Sequence, residues 1–228
     1  MNEAEKRALA LASEQYGTIG RNQARACGLS ERQIDTRLAN ERWELLFPGV
    51  YRVRGTPPTT RQRLLATTLW AGDGCAISHL AAGRLLRLDA VPKPTMIDVS
   101  VPRVTGLASK GVVLHRTAID QIDRVMVDGI RCTSATRTII DLAARLDGEA
   151  LEASFESARR MGLTAPSALA SRAAVSCGRR AMPETCILSA PSSMLACLFS
   201  YGISLFSRGF SLPRRSCDCA ARRVLHHP

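Results

Sequence analysis

Along EAEKRALALASEQY, residues 3–16, apolar Leu9, Leu11 and Ala12 recur near helical spacing among good helix formers, which predicts a first helix that Gly17 ends. In the next stretch Ile19, Ala24 and Cys27 share one side of a short second helix over Arg21 to Ala26, with Gly28 as the turn. Ser30 then stands as the N-cap of a third helix, and Gln33 occupies the capping-box position three residues on. Ile34 and Leu38, four residues apart, must face inward, which turns Arg32, Gln33, Thr36 and Arg37 wholly or partly outward. After Asn40, WELLFPGVYRV supplies two β-prone runs around Pro48 and Gly49. Two short helices joined by a turn and followed by a small hairpin form the pattern of a winged helix-turn-helix, expected over residues 1–56.

From residue 57 the pattern becomes mixed. GTPPTT reads as a stiff linker, and RQRLLATTLWAG places Leu64, Leu65, Thr68 and Leu69 on a buried helical face. In AISHLAAGRLLRL, Ser78 can cap a helix carrying Leu80, Leu85 and Leu86. TMIDVSVPR and GVVLHRTA read as strands, and DRVMVDGIRCTS as a hairpin turning at Asp128-Gly129. TSATRTIIDLAARL, GEALEASFESARRMG and TAPSALASRA return to helix. The expected fold class is α+β, with a small mixed α/β domain over residues 57–173 following the winged unit.

Charge sharpens the first unit's expected role. The chain carries 31 Lys and Arg against 20 Asp and Glu, a formal charge of +11, which favours polyanionic partners. The excess is uneven: residues 1–60 hold nine basic and seven acidic side chains, residues 61–172 hold fifteen and eleven, and residues 173–228 hold seven and two. With only two net charges in the first unit, phosphate and base contacts rather than bulk charge have to carry DNA binding. Arg32 and Arg37 can pair with guanine, Gln33 with adenine, and Ser30 and Thr36 with phosphate or, for Thr36, a thymine methyl. Arg52 and Arg54 are placed to reach phosphate or the minor groove.

Candidate chemistry elsewhere reads as structural. His79, His115 and Asp98 are separated in sequence, and neither histidine has a nearby second ligand or a nucleophile pattern, so no metal, cofactor or catalytic residue is expected. In TSATRTIIDLA, Thr133 or Ser134 can cap the helix, and Arg137 stands one turn before Asp141, within reach of an i,i+4 ion pair. No Walker loop, GxSxG, HExxH or paired-carboxylate signature occurs, which argues against an enzyme.

The order TIGRNQARACGLSERQIDTRLANERWELLFPGVYRV, AISHLAAGRLLRL, IDVSVPR, GIRCTSATRTIIDLAARL resembles actinobacterial proteins grouped with the AbiEi-type antitoxins of type IV toxin–antitoxin systems, over residues 5 to about 173. The wing W-x-x-x-x-PGVY and the helix TS-x-x-RT-x-x-DLA carry the resemblance most specifically. It implies a cytoplasmic transcriptional autoregulator that binds double-stranded operator DNA, with a nucleotidyltransferase-like toxin as partner and no membrane. Similar proteins often continue into a restriction-endonuclease-like domain. Residues 174–228 depart from that pattern, with two acids, no lysine, many serines and five of the eight cysteines, a composition that fits a frameshifted or degenerate end and an expected disordered tail. Two alternatives attach to this departure: an inactive remnant of a nuclease-like protein, or a regulator tethered to a membrane through the uncharged stretch 187–206. Pro191, Gly202 and five serines weigh against a span, and Cys217, Cys219, His226 and His227 match no common zinc spacing.

Overall fold

The computed structural model describes residues 2–102 and 108–176. The expected tail of residues 174–228 begins within the last helix, which runs to Ser176, and the rest of it, including the stretch 187–206 and the Cys217 to His227 cluster, lies outside the described residues. Within them the chain is mixed α+β, with eight α-helices and two sheets. The elements run α1 Glu3–Glu14, β1 Thr18–Gly20, α2 Arg21–Ala26, α3 Glu31–Ala39, β2 Trp43–Phe47, β3 Val50–Val53, α4 Thr60–Ala71, β4 Ala76–Ile77, α5 His79–Leu85, β5 Ile97–Val101, β6 Val112–Arg116, β7 Arg124–Val127, β8 Ile130–Thr133, α6 Ala135–Leu142, α7 Gly148–Arg160 and α8 Pro166–Ser176.

In the first sheet β3 lies between β1 and β2, antiparallel to both, with Ile19 opposite Tyr51 and Glu44 opposite Arg52. Alternation along β3 sends its side chains to two different cores. Tyr51 packs with Ala8, Ala12, Ile19, Ala24, Ile34 and Trp43 under the first three helices. Val50 joins Phe47 in the larger core of the rest of the chain, where Phe47 stacks on Trp70 of α4 at a centroid distance of 5.2 Å. The hairpin is therefore clamped between α1–α3 on one face and α4 on the other.

A polar strap secures the same junction. Tyr16 and Gly17 both hold positive φ after α1, and a Cβ on Gly17 would meet the Thr56 side chain at 2.3 Å, so only glycine fits there. The buried Gln62 side chain donates to the Tyr16 carbonyl at 2.7 Å, and the Tyr16 hydroxyl donates to the carbonyl of Asp128 at 2.8 Å. Arg61 pairs with the Asp128 carboxylate at 2.7 Å. Residues 55–60, expected as a linker, run between two bodies with separate cores that meet where Phe47 and Val50 enter the larger one.

The second sheet has the order β6-β5-β4-β8-β7. β5 is parallel to β6 and β4 parallel to β8, whereas the β4–β5 and β7–β8 pairs are antiparallel. The β7–β8 hairpin turns at Asp128 and Gly129, both with positive φ, the backbone such a two-residue turn needs. Every residue of β5 is buried. Its Ile97, Val99 and Val101 enter the apolar core, while Asp98 and Ser100 form the polar face described below.

Candidate nucleic-acid interface

α2, the turn at Gly28 and α3 present one continuous surface. Ala24 and Ile34, both fully buried, anchor the two helices to the core below Trp43 and Tyr51. From α1, Arg7 reaches across to the Cys27 carbonyl at 2.9 Å and so satisfies an acceptor at the C-terminus of α2. Ser30 caps α3: the Gln33 N–H donates to Ser30 Oγ at 3.3 Å, and the Ser30 N–H donates to Gln33 Oε1 at 2.9 Å. The oxygen of Gln33 is thereby committed, and its amide nitrogen is left to donate outward.

The remaining expected contacts divide. Arg32 is exposed and has no polar partner among the described residues, and Thr36, also exposed, donates its hydroxyl to the Arg32 carbonyl at 2.7 Å. Arg37 does not point outward. Its side chain is only 12% exposed, pairs with Glu5 of α1 at 3.0 Å, donates to the Gln33 carbonyl at 2.7 Å and lies 5.8 Å from the centre of the Trp43 ring. Three residues past Ile34, it sits on the flank of the apolar stripe, where a carboxylate and an aromatic face from other elements capture it. Arg37→Ala is accordingly expected to lower stability by about 1–3 kcal/mol, through the lost charge-assisted bonds, while DNA affinity per folded molecule stays unchanged. Urea unfolding and fluorescence anisotropy on the same sample check both halves.

Arg52 is likewise displaced from its expected place. It shares with Val50 the α4 face of β3, away from α3, and pairs with Glu44 directly across the hairpin. Arg54 is exposed beyond the strand and pairs with Glu41 just after α3.

Three residues of α2 join the surface without having been foreseen. Asn22 and Arg25 border the hollow beside Ser30 and Glu31, and Arg21 bonds Glu31 at 2.6 Å, the Tyr51 hydroxyl at 2.9 Å and Asp35 at 3.0 Å. The available signal was burial of Ala24, which turns positions 22 and 25 outward on a helix. Arg25 also pairs with Glu31 at 3.1 Å. The two exposed acids of α3 thus hold two arginines of α2, and Arg32 is the one basic side chain of residues 2–60 without a hydrogen bond or ion pair among the described residues.

A second polar cluster lies inside the larger unit. His79, Asp98 and His115, which looked isolated in sequence, come together with their ligand-type atoms within 4.8 Å of one another. Parallel pairing of β5 with β6 sets Asp98 beside His115 (2.8 Å), and the β4–α5 junction stacks His79 on His115 at 4.0 Å between ring centres. Ser78, the N-cap residue of α5, makes no cap bond and instead contacts His79 Nδ1 at 3.0 Å and accepts from Ser100 at 2.9 Å. Burial holds the His79 imidazole neutral, its pKa lowered to about 3. Arg145 lies 3.4 Å from Asp98.

Next to this cluster Ser134 caps α6 and Arg137 bonds Asp141 at 2.9 Å, as their spacing predicts. Arg137 also approaches Asp123 at 3.9 Å, and Arg172 of α8 binds both Asp123 and Asp120. Burial pushes the Asp141 carboxyl up to about 6 despite Arg137, and its Oδ2 has no partner. Asp98, Asp123 and Asp141 are thus matched by Arg137, Arg145 and Arg172. The three potential ligands His79, Asp98 and His115 are chemically suited to a cation, and the carboxylates around them are paired with arginines. The cluster serves to join β4, β5, β6, α5, α6 and α8.

No family model matches the sequence, and no curated protein matches it. Among solved structures the chain is similar to the RV2827C protein from Mycobacterium tuberculosis, with a TM-score of 0.50 and 14% identity over 89% of this chain and 78% of that one. At that identity the likeness concerns the fold alone. Among the described residues no helix is long and apolar enough to cross a membrane.

Proposed function

We propose that this chain is a DNA-binding transcriptional regulator that reads its operator through a winged helix-turn-helix formed by α1–α3 and the β2–β3 hairpin. The observation that carries this reading is the exposed face of α3, where Arg32 has no partner among the described residues, the Gln33 amide nitrogen is uncommitted there and Thr36 stands one turn on, above a turn capped as the motif requires. Arg32 has the donor geometry for guanine, and the Gln33 nitrogen can donate to a base acceptor. Ser30, Asn22 and Arg25 border the entry to α3, suited to phosphate oxygens once Arg25 releases Glu31. Arg54 supplies a further phosphate contact from the far side of α3.

The sequence resemblance to AbiEi-type antitoxins adds autoregulation in the cytoplasm and neutralisation of a nucleotidyltransferase-like toxin by the larger unit. Binding to duplexes tiled across the gene's own upstream region, measured by fluorescence anisotropy, tests the reading. The chain should select one of them over random DNA. Arg32→Ala should weaken the selected duplex by roughly 10–100-fold and random DNA far less, as expected for loss of a base contact of about 1–3 kcal/mol. Equal affinity of the native protein for every duplex, or an Arg32→Ala chain with undiminished selectivity, removes the proposal.

A further inference from the structure

The charge balance that closes the buried cluster and most of the reading head is broken at one concave place. A groove of about 380 Å³ lies between the α4 face of the hairpin and the larger unit. Leu46 and Pro58 contribute apolar surface, Arg52 comes from β3, Arg63 from the first turn of α4, and Lys110 from the segment leading into β6. No carboxylate lines the groove among the described residues. Arg52 is answered by Glu44, but Arg63 and Lys110 have no ion-pair partner among the described residues. The Arg63 guanidinium only brushes the Lys110 carbonyl at 3.5 Å, and it packs over Gly111 so closely that a Cβ there would lie 2.3 Å from Nη2. The hydroxyl of Thr60 faces the same space.

Two cations without a carboxylate partner among the described residues line the same concavity, and a bound anion there is attracted by both. The volume falls in the range of small-molecule pockets, about 300–1,000 Å³, and a junction of two units is where such pockets recur. The groove opens on the face of the hairpin opposite α1–α3, so a duplex lying on α3 does not occupy it.

We infer that this groove binds a small organic phosphate, its phosphoryl oxygens held by Arg63 and Lys110 and its apolar portion against Leu46 and Pro58. Arg63 supplies a planar fork suited to two phosphoryl oxygens and Lys110 a point charge. Bridged to Arg52, such a ligand ties the reading head to the larger unit. The site stands on its own residues, independent of whether α3 reads DNA.

Isothermal titration of the full chain with pyrophosphate, and with a nucleoside monophosphate as a probe with an apolar portion, tests the inference. One-to-one binding, saturating below about 10 mM, is expected for both. The Arg63→Ala/Lys110→Ala double variant should bind each at least about tenfold more weakly while keeping its ligand-free unfolding midpoint, since neither side chain is buried. Arg32→Ala should bind both probes like the native chain. Absence of binding by the native protein, or equal binding by the double variant, overturns the inference. If the double variant loses DNA affinity although neither probe ever binds, the groove is a DNA contact and the small-ligand site is refuted, whereas selective failure of DNA binding with phosphate binding intact refutes only the reading of α3.

Discussion

Trp70→Ala should destabilise the protein by roughly 3–5 kcal/mol, among the largest losses open to a single change outside the innermost core. Its indole is nearly buried, stacks on Phe47 and sits where the hairpin meets α4. The truncation leaves a cavity between two units rather than within one, so the coupling between them should suffer more than either alone. The sequence has only two tryptophans, and the other, Trp43, lies in the core of α1–α3. In the variant Trp43 fluorescence therefore reports the reading head by itself. Its urea midpoint should part from that of the far-UV circular dichroism signal, whereas in the native chain the two should coincide. A loss below about 1 kcal/mol, or coincident midpoints in the variant, would show that the Phe47–Trp70 contact does not couple the units.

The second large effect is a pair of opposed pH dependences hidden in the native protein. The Asp141 pKa is raised from 3.8 to about 6 by burial, so between these values the folded state holds a proton that the unfolded state has lost. Its contribution to stability is complete below about pH 4 and lost as pH rises through 6. The His79 pKa is lowered from 6.5 to about 3, again by burial, so between these values the unfolded state holds the extra proton. Its contribution is complete above about pH 6.5 and lost as pH falls. From about pH 4 to 6 the two slopes, each about 1.4 kcal/mol per pH unit, cancel. Asp141→Asn removes one member. The difference in unfolding free energy between variant and native chain should rise by on the order of 3 kcal/mol in favour of the variant from pH 4 to pH 6. His79→Gln should show the reverse slope. Denaturant titrations at half-unit pH steps check both, and parallel curves for native and variant chains would remove the assignment.

The local devices of this fold were legible because each is written within a few residues. The second helix begins and ends where the pattern of Ile19, Ala24 and Cys27 puts it, Ser30 and Gln33 form the capping box, and Asp128-Gly129 turns a hairpin. The Ser134 cap and the Arg137–Asp141 pair follow from spacing alone. β1 and β4 were missed because three and two buried residues show no period. The pairings that join distant positions were missed for a different reason. Glu5 captures Arg37 across 32 residues, and parallel strand pairing brings Asp98 to His115, neither of which a local window contains. Composition warned of excess positive charge, but it could not tell that acids of residues 2–60 pair with six of the eight arginines there while Arg63 and Lys110 have no such partner among the described residues.

If α3 reads DNA as proposed, the burial of Phe47 and Val50 in the larger core bears on how two copies could share one operator. A reading head on a flexible tether can swivel to suit half-sites at several distances. Here the bonds that Tyr16 makes with Gln62 and with the Asp128 carbonyl remove that freedom, so α3 keeps a fixed bearing relative to the bulk of the molecule. For a symmetric pair on a palindrome, the described body of the protein then acts as the ruler between half-sites, and an insertion of half a helical turn of DNA turns one head away from its groove.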